Sequence, residues 1–228
     1  MLGLGERAVV DLDVDDCERI VPESLGDAVE RARADGRRPM ALVAASCATS
    51  TGLHDDLHAI GTFCRERGIW LHVDAAHGAS ALLSPAHRHL LRGIEHADSV
   101  VSDAHKMLRT SSLAAAVLLR DAARLDAAFR QSAAYLIYED DDADGPDLLG
   151  RQVECTKAPL GMKIFMNLAF RGEEGIAGYV AEQYNKTTRF WSSSTRDRGS
   201  SASGGPSPTS CASGTGATRH CRCGFESG

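Results

Sequence analysis

Short continuous apolar runs alternate along the chain with stretches whose apolar residues recur at helical spacing. Arg7–Leu12, Met40–Ser46, Ile69–Asp74, Ala97–Val101 and Leu113–Leu119 are runs of strand length, and the last is continuous enough to predict a buried strand. Pro22–Ala34 opens with Pro and an early Glu and closes at Gly36, and Asp55–Arg67 places Leu57, Ile60, Phe63 and Cys64 on one face before Gly68. Both patterns predict helices. Ser80–His96 predicts one or two short helices, and Gly161–Leu168 and Ile176–Phe190 are helical again. Strand, helix, strand, helix, strand predicts an α/β fold with a mostly parallel sheet and flanking helices, ligands gathering at the carboxyl ends of the strands.

Two strand ends carry chemistry. The first is Asp74, in Ile69-Trp70-Leu71-His72-Val73-Asp74-Ala75-Ala76-His77-Gly78. The second is the His105-Lys106 pair closing Ala97-Asp98-Ser99-Val100-Val101-Ser102-Asp103-Ala104-His105-Lys106. A lysine amine attacks an aldehyde only when neutral, and desolvation at the mouth of a strand is one way to favour that form. An acid on one strand and a lysine on the next suit a cofactor with a ring nitrogen and an aldehyde, and pyridoxal 5'-phosphate has both. The acid keeps the ring nitrogen protonated, so the ring can accept the electron pair of a bond broken at a substrate's Cα.

His-Val-Asp-Ala-Ala, Ala-Asp-Ser and His-Lys-Met, in that order, resemble the pyridoxal-dependent decarboxylases of the glutamate and aromatic-amino-acid decarboxylase group, from about Met1 to about Phe190. The resemblance implies that Lys106 carries the cofactor as a Schiff base, that His105 stands beside it, that Asp74 pairs with the ring nitrogen and that Ala76 lies under one ring face. It places Thr49 and Asp55 in the family's Thr-x-x-Gly-x-x-Asp turn, positioning the cofactor and its neighbours. Tyr135, followed by Leu136, matches the loop tyrosine that returns a proton to Cα, against the plainer reading of an ordinary core aromatic. The implied activity is decarboxylation of a small-molecule amino acid, in a full-length protein that is a cytoplasmic homodimer. An aminotransferase or desulfurase shares the Asp and Lys logic, and Tyr135-Leu136 favours the decarboxylase; a noncatalytic remnant is the reading from another class.

The departures are informative. Cys47-Ala48-Thr49 stands where the family has Gly-Thr-Thr, and Asp103-Ala104-His105-Lys106 where it often has Asn-Pro-His-Lys. A carboxylate at Asp103 repels a nearby phosphate unless its side chain turns away. The family's stacking histidine and its Ser- and Gly-rich phosphate cup match no part of this sequence, so the chain is expected to be an incomplete piece that binds cofactor weakly. Its expected division is a partial cofactor-binding domain over 1–131, a mobile catalytic loop over 132–152, the start of a small domain over 153–190 and a disordered tail over 191–228.

Composition narrows the alternatives. In 228 residues, 43% hydrophobic content suffices for a core, and a net charge of −6 with scattered Lys and Arg argues against a nucleic-acid partner. No apolar run approaches membrane-spanning length, and the first residues lack a secretory pattern. Seven unevenly placed cysteines fit reduced thiols. His87 and His89 are spaced wrongly for one helix face, the acidic run Glu139–Pro146 lacks the Gly and closing Glu of a calcium loop, and His220-Cys221-Arg222-Cys223 is an incomplete metal clip, so no metal is expected. From Trp191 onward Val, Ile, Leu and Met vanish, which predicts disorder and suggests a frameshifted reading.

Overall fold

The computed structural model describes residues 4–129, 154 and 156–197, the last seven by backbone only. Four strands, β1 (Ala41–Ala45), β2 (Trp70–Asp74), β3 (Ser99–Asp103) and β4 (Ala115–Leu119), form one sheet in the order β1-β2-β3-β4. β1 and β2 run parallel with Ala45 opposite Asp74, and β2 and β3 run parallel with Asp74 opposite Val101. β4 returns antiparallel, Asp103 facing Ala115. The fold is therefore α/β with a mostly parallel sheet, as the alternation of elements predicts.

Helix α1 (Leu25–Ala34) ends where Gly36 turns left-handed at φ 73°, and α2 (Leu57–Arg67) ends at Gly68 at φ 63°. Asp56 caps α2 by accepting the N–H groups of His58 and Ala59 at 3.1 and 3.0 Å. The apolar faces of these helices lie on one face of the sheet: Leu25 and Val29 from α1, and Leu57, Ile60 and Cys64 from α2, pack with Leu42, Ala44, Leu71 and Val73. On the other face Val43 is 58% exposed, so β1 buries alternate residues although its sequence is continuously apolar.

Two expectations need correction, and a third is refined. Arg7–Leu12 is no strand: Glu6–Ala8 forms a 3-10 turn, Val9 is exposed, and only Leu12 touches the core. Its apolar run is three residues long between charged neighbours, too short to bury a strand face. β4 is not buried, since Val117 and Leu118 stand exposed on a strand at the sheet's margin. The stretch from Ser80 to His96 is made of short helices, as expected, but of the 3-10 kind and three in number: Gly78–Leu83, Arg88–Leu91 and Ile94–His96, broken by Pro85 and Gly93.

After β4 come α3 (Ala122–Phe129) and α4 (Leu160–Asp197). Gly172, at φ 70° and ψ 163°, breaks α4 between the two stretches expected to be helical, and its backbone continues past Trp191 to Asp197. Ile176 and Val180 are buried where α4 packs on the Gly78–Leu83 turn. Among the described residues no helix is long and apolar enough to cross a membrane. Tyr135 and the acidic run lie outside the described residues.

Candidate active site

The carboxyl ends of β1, β2 and β3 are tied to one another by backbone hydrogen bonds. Ser46 N–H donates to Asp74 O at 2.7 Å, and Gly78 N–H donates back to Ser46 O at 3.0 Å. On the other side Ala75 N–H donates to Val101 O at 3.2 Å and Asp103 N–H to Ala76 O at 3.0 Å. The segment Asp74–Gly78 is thus fixed between its two neighbours, and the side chains leaving these three strand ends share one location.

Asp74 closes β2 with an exposed carboxylate whose Oδ1 accepts Ala76 N–H at 3.1 Å. Lys106 stands in the turn after β3, with its N–H donated to Asp103 O at 3.1 Å. Its Nζ lies 2.9 Å from Asp103 Oδ2, and its side chain is 40% exposed where that of Asp103 is 14%. The expectation that burial activates the lysine is not met; an ion pair holds it instead. The same pair answers what Asp103 does here, since its carboxylate turns onto Lys106 and stands 3.7 Å from His105 Nε2. His105 Nδ1 lies against the backbone of Ala114, 2.9 Å from its carbonyl oxygen, which fixes the ring beside β4.

The other expected residues divide. Ala76 is half-buried beside Asp74, and Thr49 is exposed in the turn where Gly52 N–H donates to Ala48 O at 2.8 Å. Asp55 turns to the backbone. It is 8% exposed, and its oxygens accept Ile20 N–H at 2.8 Å and Ala45 N–H at 2.7 Å, so it anchors the end of β1. Burial pushes its carboxyl up, against those two donors, which pull it down.

Sequence reasoning missed several neighbours. Burial pushes the Cys47 thiol up, Lys106 pulls it down and Asp74 pushes it up, so the thiol lies within electrostatic reach of both. Burial, then the Lys106 cation, lowers His77. Behind them Tyr184 of α4 stacks on His87 at 4.6 Å, and its hydroxyl is 3.5 Å from His54 Nε2. His54 Nδ1 meets Ser46 Oγ at 2.8 Å, linking this cluster to β1. Burial, then His77 and His89, takes His54 down to about 4, while burial, then Cys47, pushes Tyr184 up to about 12. Cys47 was detectable as the residue just past a strand end; the pairing of Tyr184 with His54 spans 130 residues and left no local trace.

Known proteins share this chain's sequence and fold. The chain matches the pyridoxal-dependent decarboxylase conserved domain over residues 4–198. It is similar to the cysteine sulfinic acid decarboxylase of Homo sapiens, 35% identical over 207 residues, covering 83% of this chain and 41% of that protein. It is also 35% identical over 188 residues to the L-2,4-diaminobutyrate decarboxylase of Rhizobium meliloti, covering 82% of this chain and 38% of that protein. Among solved structures, mouse CSAD superposes with a TM-score of 0.78 at 34% identity, covering 86% of this chain and 40% of that one. Oryza sativa TDC with PLP and tryptamine does so with a TM-score of 0.71 at 26% identity, covering 77% and 36%. The chain spans about two fifths of the length of the curated relatives it matches. With a domain match that covers most of the sequence and curated relatives at 35% identity, this chain belongs to the pyridoxal-dependent decarboxylase family.

Proposed function

We propose that the chain carries the cofactor-holding part of a pyridoxal 5'-phosphate-dependent amino-acid decarboxylase. The observation that supports this best is the placement of Asp74 and Lys106 at the ends of adjacent parallel strands, locked together by the Asp103 N–H to Ala76 O bond. The donor set fits the cofactor, with a carboxylate for the ring nitrogen and an amine for the aldehyde. Thr110 Oγ1, buried in the turn after Lys106 with no hydrogen-bond partner among the described residues, leaves a polar atom there for a ligand to satisfy.

When bound, pyridoxal phosphate supplies a sink for the electron pair released as the bond from Cα to the carboxylate breaks. Lys106 Nζ is the group that would hold its aldehyde carbon and yield that place to the substrate amine. Asp74 would hold a proton on the ring nitrogen, and Ala76 leaves room for a flat ring beside it. His105 is fixed next to the lysine, Thr49 offers a hydroxyl from its exposed turn, and Asp55 holds the end of β1 in place. By resemblance Tyr135, outside the described residues, would deliver the proton to Cα.

The names of the two relatives share an amino acid losing a carboxylate and differ in its side chain, so the substrate is assigned to the amino-acid class. A cytoplasmic homodimer belongs to the same proposal. The thiols of Cys47 and Cys64 form no disulfide, which suits a reducing compartment. Exposed Val117, Leu118, Phe165, Met166 and Phe170 offer apolar area for a partner surface.

The test is reduction with borohydride after incubation with pyridoxal phosphate, followed by peptide mapping. The adduct is expected on Lys106 and absent from Lys106→Ala; an undiminished adduct in that variant, or one mapped to another lysine, would move the site elsewhere.

A further inference from the structure

Between the first turn of α2 and the turn that enters β3, His58, Glu95 and His96 each bring one ligating atom to a common point, all within 4.8 Å of one another. We propose that these residues form a binding site for a divalent transition metal of the zinc class, joining α2 to the turn that enters β3.

The placement is built into the backbone. His58 lies in the first turn of α2, where its N–H is held 3.1 Å from Asp56 Oδ1. Glu95 and His96 belong to the Ile94–His96 turn, which lies close against α2 because two positions lack side chains. A Cβ on Gly61 would stand 2.4 Å from His96 Cβ, and one on Gly93 would stand 2.3 Å from the backbone nitrogen of His58. Gly93 also holds φ 96°, which side-chain-bearing residues rarely adopt. Its N–H donates to Glu95 Oε2 at 3.1 Å, which orients the carboxylate and leaves the second oxygen for a ligand. Arg120 holds the Glu95 carbonyl from the other side.

The spacing suits coordination. His96 Nε2 and His58 Nδ1 stand 3.3 Å apart with their rings tilted by 42°. At a metal–nitrogen bond of about 2.0–2.1 Å, two imidazoles on one tetrahedral ion have nitrogens about 3.3 Å apart. Two imidazoles and a carboxylate are a donor set that zinc accepts, with the fourth position left to water. One feature opposes the ion: the Arg65 guanidinium contacts His96 Nδ1. A ring that ligates through Nε2 carries its proton on Nδ1, so Arg65 must swing into solvent on binding, and its exposed side chain is free to do so.

The test titrates the full chain with Zn²⁺ by calorimetry and follows its melting temperature. Every protein carries Cys211→Ser, Cys221→Ser and Cys223→Ser, so that tail thiols do not compete. One equivalent should bind and raise the melting temperature, and His58→Gln with His96→Gln should weaken binding by about tenfold or more without lowering the metal-free melting temperature. Arg65→Gln should tighten binding about two- to fivefold, the weight of an exposed charge contact. Absence of binding would show that the two rings merely share a hydrogen bond and would overturn the site. So would equal affinity in the double histidine variant, or weaker binding in Arg65→Gln.

Discussion

Asp103 Oδ2 stands 2.9 Å from Lys106 Nζ, so the lysine proposed to hold the cofactor is itself held by the residue where the family often has Asn. The contact must break before the Lys106 amine can reach an aldehyde carbon, and the carboxylate repels an incoming phosphate dianion; both effects slow capture of pyridoxal phosphate. Asp103→Asn preserves the shape of the turn, whose backbone bond to Ala76 does not depend on the carboxylate. Adduct formation at neutral pH should then accelerate about two- to fivefold, as expected for an ion pair on a side chain with partial solvent access. Stopped-flow absorbance reads the rate directly, and a slower variant would mean that Asp103 orients Lys106 instead of restraining it.

Asp74→Asn separates chemistry from folding. The carboxylate is exposed, and its described hydrogen bond, to Ala76 N–H, is one that an asparagine oxygen also accepts. The unfolding free energy should change by no more than about 0.5 kcal/mol. Losing a charged partner for the ring nitrogen should weaken pyridoxal phosphate binding by about 1.5–3 kcal/mol, or roughly ten- to a hundredfold. A cofactor titration of the two proteins checks this, and equal affinities would take Asp74 out of the site.

What the sequence made legible was punctuation at strand and helix ends. Gly36 after α1, Gly68 after α2, and the acid and lysine closing two apolar runs are local signals, and each appears where its neighbours in the chain place it. Burial was harder to read. Leu113–Leu119 is as continuously apolar as a central strand, yet Val117 and Leu118 are exposed, because composition does not say whether anything packs on a face. Asp55 matched a motif for positioning the cofactor and its neighbours, and its backbone partners were not readable there, since one of them, Ile20, lies far from the motif. The His58, Glu95 and His96 cluster was invisible to spacing rules, since its two histidines are 38 residues apart and meet only through Gly61 and Gly93.

His54 makes stability depend on pH. Its folded value of about 4 lies below the ordinary 6.5, because burial and then the neighbouring His77 and His89 disfavour the charged ring. A lowered value means the folded state binds the proton less well, so the contribution is fully present above 6.5 and is lost as pH falls from there towards 4. Between about pH 7.5 and pH 5 the loss from this group is about 2 kcal/mol. His77 and His87 are lowered by burial too and add to the slope with the same sign. His54→Gln, which can still reach Ser46 and Tyr184, should flatten the urea midpoint over this range by about that amount. An equal drop in both proteins would assign the pH dependence to other groups.

Gly78 tests whether the three strand ends must be as close as they are. A Cβ there would lie 2.2 Å from Ser46 O, 2.5 Å from Ser46 C and 2.7 Å from Cys47 N, all backbone atoms that no rotamer change can move. Relief would require the Asp74–Gly78 segment to separate from β1, breaking the bond from Gly78 N–H to Ser46 O and shifting Cys47 away from Lys106. Overpacking and the lost bond together predict that Gly78→Ala is less stable by about 2–4 kcal/mol. Gly26 is the matched control: it lies in α1 with nothing within 4 Å of a Cβ, and Gly26→Ala should be neutral or stabilising by up to about 1 kcal/mol. Urea denaturation of the two variants beside the parent chain measures both. A Gly78→Ala protein as stable as Gly26→Ala would mean that the strand ends have room to spare, and that Asp74 and Lys106 are not held as tightly as their shared backbone bonds indicate.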